Sequence, residues 1–242
     1  SEKNISRGVG KTAFYLPVNE VQCITESEDK RSIAVGTSHG CYLIDKQNPM
    51  HPRRFFYPGQ YPDKDINLFV NSMVYQNSSH VWIGTDGGGL YDYDLTTNKF
   101  RNYTTQESLP SNVVYGIING KNGKLWLSTD KGLAFIYHGK VVNLNFFKGL
   151  EREYNRMSVA CTSDGRMLFG SNDGVVALAP TFAKGLNYAA PLRIHRVEVE
   201  GVERTDQWNE TLFEMLQEGT LQLHHHENTL IVSFECIHYQ YQ

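Results

Sequence analysis

One apolar pattern recurs four times along the chain. Each copy has three apolar residues, then Gly or Ser, then Thr or Ser, at residues 33–37, 81–85, 125–129 and 167–171. The Gly or Ser markers at positions 36, 84, 128 and 170 are 48, 44 and 42 residues apart. A period of about 40 to 50 residues built from short strands is typical of the blades of a propeller.

A turn containing glycine follows each copy, and a second apolar run comes directly after it. Glycine between two β-prone runs favours a hairpin, because a tight turn needs a positive φ. Further β-prone runs precede every copy and follow the first three, but the run after the last copy is poorly formed. The apolar residues of 81–83 and 125–127 are consecutive, which favours strands covered on both faces. We therefore predict four-stranded blades.

The pattern predicts an all-β chain in which β-propeller blades are followed by a partial Ig-like β-sandwich. Four repeats occupy residues 18–180, and residues 1–17 are expected to end a preceding blade or to form an N-terminal strand. A linker at 181–190 leads to a sandwich over 191–242, where residues 229–237 alternate between apolar and polar. A sandwich of this kind needs about seven strands in about 100 residues. We therefore expect the chain to begin and end inside a longer protein.

Composition narrows the class of protein further. The chain has 242 residues, of which 40% are hydrophobic, and a net charge of -3. Without a block of Lys and Arg it lacks the electrostatic footprint of a nucleic-acid-binding protein. No apolar run approaches the roughly 18 residues that a membrane-spanning helix needs. Any membrane attachment is therefore expected through segments outside this chain.

The cysteines do not indicate a metal site. Cys23, Cys41, Cys161 and Cys236 are widely spaced, and none forms a CxxC pair of the kind that binds zinc. Each lies in an apolar, strand-like stretch, so we expect small buried side chains. A disulfide between Cys23 and Cys41, which share one repeat, is the alternative.

Two sets of side chains could carry chemistry but recur with the repeat. Asp86, Asp130 and Asp173 could supply the paired carboxylates of a glycosidase, yet each stands just before a turn glycine. Trp82 and Trp126 could stack on sugars, yet they are equivalent positions in neighbouring repeats. A residue that recurs at the same position of successive repeats is expected to stabilise the blade fold. We therefore expect the aspartates to stabilise turns and the tryptophans to pack in the core.

Two other stretches are candidates for binding. Consecutive residues of a strand point to opposite faces, so the run 224–226 of three histidines is expected to be solvated rather than to chelate one metal ion. The least repeat-like stretch could contact a ligand through arginine and aromatic side chains, although an outer-edge strand with a loop is the simpler interpretation. It contains Arg53, Arg54, Phe55, Phe56, Tyr57 and Tyr61.

These residues resemble the two-component regulator propeller family. The third repeat is most similar, with residues 109–114 leading to 123–129 and then Gly132-Leu133; the first and fourth repeats lack the tryptophan. The tail resembles the start of the triple-tyrosine (YYY) sandwich domain at residues 227–230, Ser233-Phe234 and the pair Tyr239 and Tyr241.

The resemblance implies the periplasmic sensor region of a hybrid two-component system receptor. Such a region would bind an oligosaccharide, form a homodimer in the intact receptor, and signal to a membrane-linked histidine kinase encoded outside this chain. We therefore expect no enzyme activity, catalytic residue, metal or cofactor here, and the ligand-binding residues stay unassigned. The alternatives are a propeller enzyme that acts on glycans, as a lyase or hydrolase, and a protein-interaction scaffold.

Overall fold

The described part of the chain consists almost entirely of sheets. The computed structural model describes residues 20–57, 59–61, 66–120, 123–183, 192–203 and 225–236. The chain divides into two compact units, Ser1–Phe182 and Ala183–Gln242. Apart from a short 3₁₀ helix at Thr105–Glu107, the regular elements of the described residues are strands. The predicted all-β architecture with four propeller blades is confirmed.

The first two repeats each form a sheet of four antiparallel strands, in which neighbours along the chain are neighbours in the sheet. Blade 1 consists of β1 (Val21–Glu26), β2 (Ser32–Thr37), β3 (Gly40–Asp45) and β4 (Arg53–Phe55). Blade 2 consists of β5 (Val70–Tyr75), β6 (His80–Thr85), β7 (Leu90–Asp94) and β8 (Phe100–Tyr103). The recurring pattern is thus the second strand of each blade.

The last two repeats differ in strand number. Blade 3 consists of β9 (Val114–Asn119), β10 (Leu125–Thr129), β11 (Gly132–Tyr137) and β12 (Lys140–Asn143). Blade 4 consists of β13 (Tyr154–Cys161), β14 (Met167–Ser171) and β15 (Gly174–Leu178). Among the described residues blade 4 has no fourth strand, in line with the poorly formed run at that point of the sequence.

The first strand of each blade lies innermost. Strand β1 contacts β5, β5 contacts β9, and β9 contacts β13. Each of these strands has an irregular register with its neighbour, which leaves Gln22, Asn71 and Tyr115 as extra residues in blades 1 to 3. A bulge of this kind bends and twists a strand. The same irregularity therefore recurs along the inner strands.

Apolar side chains from facing blades interlock and form the cores. Between blades 1 and 2, Phe55 and Phe56 are fully buried and pack in one cluster with Tyr91 and Tyr93. Between blades 2 and 3, a second cluster joins Trp82 and Tyr103 to the inner strands of blade 3. Because both faces of the middle strands are covered, their apolar residues can be consecutive.

The Thr or Ser that ends the recurring pattern closes the hairpin that follows it. These hydroxyls donate to a glycine carbonyl oxygen at 2.7, 2.8, 2.9 and 2.9 Å in blades 1 to 4. In blades 1 to 3 the same hydroxyl accepts a backbone N–H of the turn at 3.1 Å. The four side chains are buried and replace bonds that the tight turn leaves unmade. They are Thr37, Thr85, Thr129 and Ser171.

The second unit contains a three-stranded antiparallel sheet in the order β17-β16-β18. Its strands are β16 (Leu192–Val199), β17 (Val202–Glu203) and β18 (Leu230–Cys236). The second sheet that a sandwich requires is not among the described residues, so the sandwich stays a prediction. The predicted strand within residues 1–17 and most of the linker 181–190 also lie outside the described residues.

Candidate functional site

Blades 2 and 3 differ in the turn between their third and fourth strands. In blade 2 the turn spans residues 95–99, whereas in blade 3 it is only His138 and Gly139. Beside this shorter turn an open cleft of about 820 Å³ lies between blades 2 and 3 and reaches blade 1. Clefts that bind small molecules measure about 300–1,000 Å³. We call this space the interblade cleft.

Aromatic side chains form the floor of the interblade cleft. Trp82 and Tyr103 lie with their ring centroids 5.8 Å apart, and both are buried and line the cleft. Burial raises the pKa of Tyr103, so its phenol keeps its proton. The rim is polar and exposed, and it includes Gln76 and Asn119. An apolar floor below a polar rim suits a ligand with one apolar face and several hydroxyl groups.

A buried lysine lies on the blade 3 side of the cleft. Lys124 is only 6% exposed, and its Nζ lies 5.1 and 4.9 Å from the ring centroids of Phe135 and Tyr137. Desolvation lowers the pKa of Lys124, while the two ring faces favour its charged form. Phe135 packs with Trp126, which contacts Phe169 of blade 4, so the ammonium lies on the blade 4 face of this sheet rather than in the cleft.

Arg101 lies on the opposite wall and has a repeat-equivalent partner in blade 1. Arg101 is paired with Asp92 across β7 and β8, as Arg53 is paired with Leu43 across β3 and β4. The guanidinium of Arg53 donates to the carbonyl oxygen of Leu95 at 3.3 Å and to Asn98 Oδ1 at 3.4 Å. Both acceptors belong to the long turn of blade 2, so Arg53 ties blade 1 to blade 2.

Among the described residues Arg101 has no such acceptors, because the turn of blade 3 is short. Its guanidinium carbon stacks 4.6 Å from the ring centroid of Tyr103, and its side chain is exposed. No carboxylate of the described residues lies within 4.0 Å of the Arg101 nitrogens. The equivalent position is thus a tie between blades in one repeat and an exposed cation in the next.

The acidic side chains around the cleft are partly engaged elsewhere. Glu26 is ion-paired with Lys46, whose hydrogen bond is the main cause of the lowered pKa of Glu26. Asp92 Oδ1 lies 3.3 Å from His80 Nδ1. Glu28, exposed at the blade 1 end, completes the carboxylates of the cleft lining.

A smaller cleft of about 300 Å³ adjoins the interblade cleft and shares Arg101, Tyr103 and Gly139 with it. It adds Lys140 and Glu107 to the lining. The Glu107 carboxylate accepts both the backbone N–H and the hydroxyl of Thr104 at 2.8 Å, as the capping box of the 3₁₀ helix. These bonds lower the pKa of Glu107. Arg101 therefore stands where the two clefts meet.

A second polar cluster lies at the opposite end of the inner strands. Arg156 of β13 donates from Nη2 to Asp86 Oδ2 at 3.0 Å. Its guanidinium carbon lies 5.4 and 5.3 Å from the ring centroids of Phe69 and Tyr115. The ion pair neutralises this arginine, and the cluster joins blades 2, 3 and 4. A structural tie explains it without a ligand.

The three aspartates of the repeats have three different environments. Asp86 forms the ion pair with Arg156, while Asp173 accepts from the Ser171 hydroxyl at 2.8 Å and from Arg152 at 2.9 Å. Asp130 has a buried Oδ1 without a hydrogen-bond partner in the described part of the chain. The bonds that close the turn come from the preceding Thr or Ser. Only Asp173 therefore touches the turn as expected, and it does so through that hydroxyl.

Both repeat tryptophans pack in the core. Trp82 is 5% exposed in the cluster between blades 2 and 3. Trp126 is 2% exposed and contacts the rings of Phe135 and Phe169. The structural role expected for the pair is observed, although the edge of Trp82 also belongs to the interblade cleft.

The stretch that starts at Arg53 is an outer-edge strand and its loop. Phe55 and Phe56 have no exposed surface, and Arg54 stacks on the rings of Tyr42 and Tyr57. Tyr61 donates to the carbonyl oxygen of Asn98 at 2.6 Å. These side chains hold blade 1 against blade 2, so the simpler interpretation describes them.

The remaining candidates are the histidine run and the cysteines. His225 and His226 have ring centroids 5.2 Å apart and nearly perpendicular planes, whereas residue 224 lies outside the described residues. No group of three potential ligands is found there. Cys23 and Cys41 are free, buried thiols, as expected for small buried side chains. Burial raises the pKa of the Cys23 thiol to about 12.

Comparison with known proteins agrees with the propeller. Residues 108–131 match the model of the family described as two component regulator propeller. A curated relative, histidine kinase P4 of Formosa agariphila, is 33% identical over 81 residues, which cover 30% of this chain and 6% of that protein. The predicted resemblance to these propellers is confirmed, and the similarity supports a sensor role. The resemblance of the tail to the YYY domain stays a prediction.

Two solved structures share the fold. Both are of the same extracellular domain from B. thetaiotaomicron, whose protein is described as a putative hybrid two component system in one and as a putative one component system in the other. The first is 21% identical with a TM-score of 0.52, covering 75% of this chain and 23% of that one. The second is 22% identical with a TM-score of 0.52, covering 67% and 22%. This chain thus spans less than a quarter of these solved chains.

No helix in the described part of the chain is long and apolar enough to cross a bilayer.

Proposed function

We propose that this chain is an extracytoplasmic, periplasmic sensor segment of a hybrid two-component receptor and that it binds an oligosaccharide in the interblade cleft. The match at residues 108–131 and the similarity to a histidine kinase support the sensor role. The extracellular location of the domain seen in both solved structures supports the compartment.

The interblade cleft is the single observation that carries the binding role. Its size suits a short oligosaccharide, and Trp82 and Tyr103 in its lining offer apolar aromatic surface to the C–H groups of a sugar. Gln76 and Asn119 on the rim, together with Arg101, supply polar groups that can bond to sugar hydroxyls. The other candidate side chains of the repeats pack in the core or form hydrogen bonds and ion pairs within the protein.

Signalling in this proposal belongs to a homodimer of the intact receptor. A ligand shifts an equilibrium between two dimer arrangements only by as much as its affinities for them differ. The sheet of the second unit would pass that change toward a histidine kinase through membrane segments outside this chain.

Binding is tested by calorimetric titration of the protein with a panel of oligosaccharides, followed by chromatography of each mixture. We expect binding without cleavage, and at least tenfold weaker binding for Gln76→Trp, which fills the cleft from its exposed rim. Gln47→Trp is the matched control because Gln47 is exposed in a turn outside the cleft. Equal loss in both variants would contradict the proposed location.

The other outcomes of the panel identify the alternatives. Cleaved products would indicate a lyase or hydrolase in place of a sensor. A panel in which no oligosaccharide binds or raises the melting temperature would refute oligosaccharide sensing by this chain and favour a protein-interaction scaffold.

A further inference from the structure

Two exposed cations stand where the interblade cleft meets the smaller cleft. Arg101 lines both clefts, and Lys140 lines the smaller one. The carboxylates at this end have partners of their own, since Glu107 caps the 3₁₀ helix and Asp92 lies against His80. Glu26 and Glu28 belong to the inner strand side of blade 1 and the turn after it.

The guanidinium of Arg101 is positioned to contact a ligand in the cleft. The Tyr103 ring supports one face of the guanidinium, which leaves the N–H groups at its edge directed away from that ring. The described residues bring no carboxylate within 4.0 Å of the nitrogens of Arg101 or Lys140. A planar guanidinium held in this way matches the two oxygens of a carboxylate or sulfate.

The comparison with Arg53 shows that this is not a general feature of the repeat. At the equivalent position Arg53 uses its guanidinium on the carbonyl oxygen of Leu95 and on Asn98. The turn of blade 3 is too short to offer such acceptors to Arg101. The missing acceptors coincide with the cleft, so the guanidinium that one blade uses internally is available to a ligand in the next.

We infer that the interblade cleft recognises an acidic oligosaccharide, whose carboxylate or sulfate group is bound by Arg101 with Lys140 nearby. This inference rests on the proposed function and deepens it by naming the chemical class of the ligand. The sugar rings would lie over the aromatic floor, and the anionic group would lie at the junction of the two clefts.

The experiment uses oligosaccharides in matched pairs at low salt. One pair is tetragalacturonate and its methyl ester, and the others are sulfated glycosaminoglycan tetrasaccharides and their desulfated counterparts. We expect the acidic member of at least one pair to bind about tenfold or more tightly than its neutral partner, as a charge-assisted bidentate contact implies. This preference should shrink as NaCl screens the charges.

Two arginine variants separate recognition from stability. Arg101→Met keeps the aliphatic cover over Tyr103, so it should abolish the acidic preference while the melting temperature stays within about 2 °C, as for other surface changes. Arg53→Met should lower the melting temperature and keep the preference. A preference that survives Arg101→Met would overturn the assignment of Arg101.

The outcomes also distinguish the two proposals. Equal binding of acidic and neutral partners would refute the acidic class and leave oligosaccharide binding standing. If no member of any pair binds, and the wider panel is also negative, the proposed function itself fails. A preference confined to the sulfated or to the uronate pairs identifies which anionic group the cleft takes.

Discussion

Replacing Thr129 by valine tests whether the last residue of the recurring pattern holds the hairpin of each blade. Valine has nearly the shape of threonine, so the change removes the hydroxyl with little change in volume. In the folded protein this hydroxyl donates to the carbonyl oxygen of Gly132 at 2.9 Å and accepts the N–H of Lys131 at 3.1 Å. Thr129 has no exposed surface, so water cannot replace the hydroxyl at that point.

The magnitude follows from these two bonds. A hydrogen bond contributes about 0.5–1.5 kcal/mol to stability, and a buried group left without a partner costs about 1–3 kcal/mol. Lys131 is exposed, so its N–H regains water, whereas the Gly132 carbonyl oxygen loses a buried donor. We expect a loss of about 2–3 kcal/mol in the free energy of unfolding. For a chain of this size that lowers the melting temperature by about 5–10 °C.

The assay is guanidinium unfolding followed by tryptophan fluorescence, because Trp82 and Trp126 are buried in the blades. Thr129→Ser should lose less than half as much stability, since it keeps the hydroxyl. Thr96→Val is the matched control: Thr96 is exposed, its backbone N–H donates to Asp94, and its stability change should stay within about 0.5 kcal/mol. A Thr129→Val protein as stable as the wild type would refute the role assigned to the hydroxyl.

Three further changes probe the blades and their cysteines. Gly89→Ala should lower the free energy of unfolding by about 2–5 kcal/mol in a denaturant titration, because φ is +83° and a Cβ would collide with a backbone carbonyl of β8. Gly123→Ala, which has open space around it, should lower it by about 1–2 kcal/mol. Phe55→Ala should destabilise by about 3–5 kcal/mol, which calorimetric melting would register; a neutral effect would contradict its place in the core. Thiol labelling at pH 8 should modify the half-buried Cys161 before Cys23, whose pKa is raised to about 12, and equal rates would count against that burial.

The blades could be predicted from the sequence because the repeat shows each physical requirement four times. Consecutive apolar residues indicate a strand covered on both faces, and a glycine after each copy indicates the turn. The weak fourth run of the last repeat corresponds to the three strands observed in blade 4. Such signals are local, so one chain is enough to reveal them.

The turn chemistry was assigned to the wrong side chain at two of the three aspartates. Asp86 and Asp130 precede the turn glycine, which is where an Asx turn would form. The residue before each of them ends the second strand, and its buried hydroxyl reaches across the hairpin first. Side chains alternate between the two faces of a strand, so only one of two neighbouring polar residues points inward. Which one does so depends on where the strand begins and on the register shift at the bulge, and the sequence does not show either directly.

The candidate site could not be predicted from the repeat, because it lies where the repeat fails. Arg53 and Arg101 occupy equivalent positions, and the residues around each give no reason to separate them. Their difference arises in the following blade, where residues 95–99 offer acceptors to Arg53 and the short turn at His138 and Gly139 offers none to Arg101.

The sequence feature that could have indicated the site is therefore a change in turn length between consecutive repeats, together with an arginine on the fourth strand of the preceding blade. In a propeller each blade packs against the next one. A shorter turn in one blade therefore leaves a cleft beside it and leaves the side chain that faces it from the preceding blade without hydrogen-bond acceptors. The cleft and the proposed ligand-binding arginine then have the same cause, so a search for ligand-binding residues in such chains should start from turns whose length differs between blades.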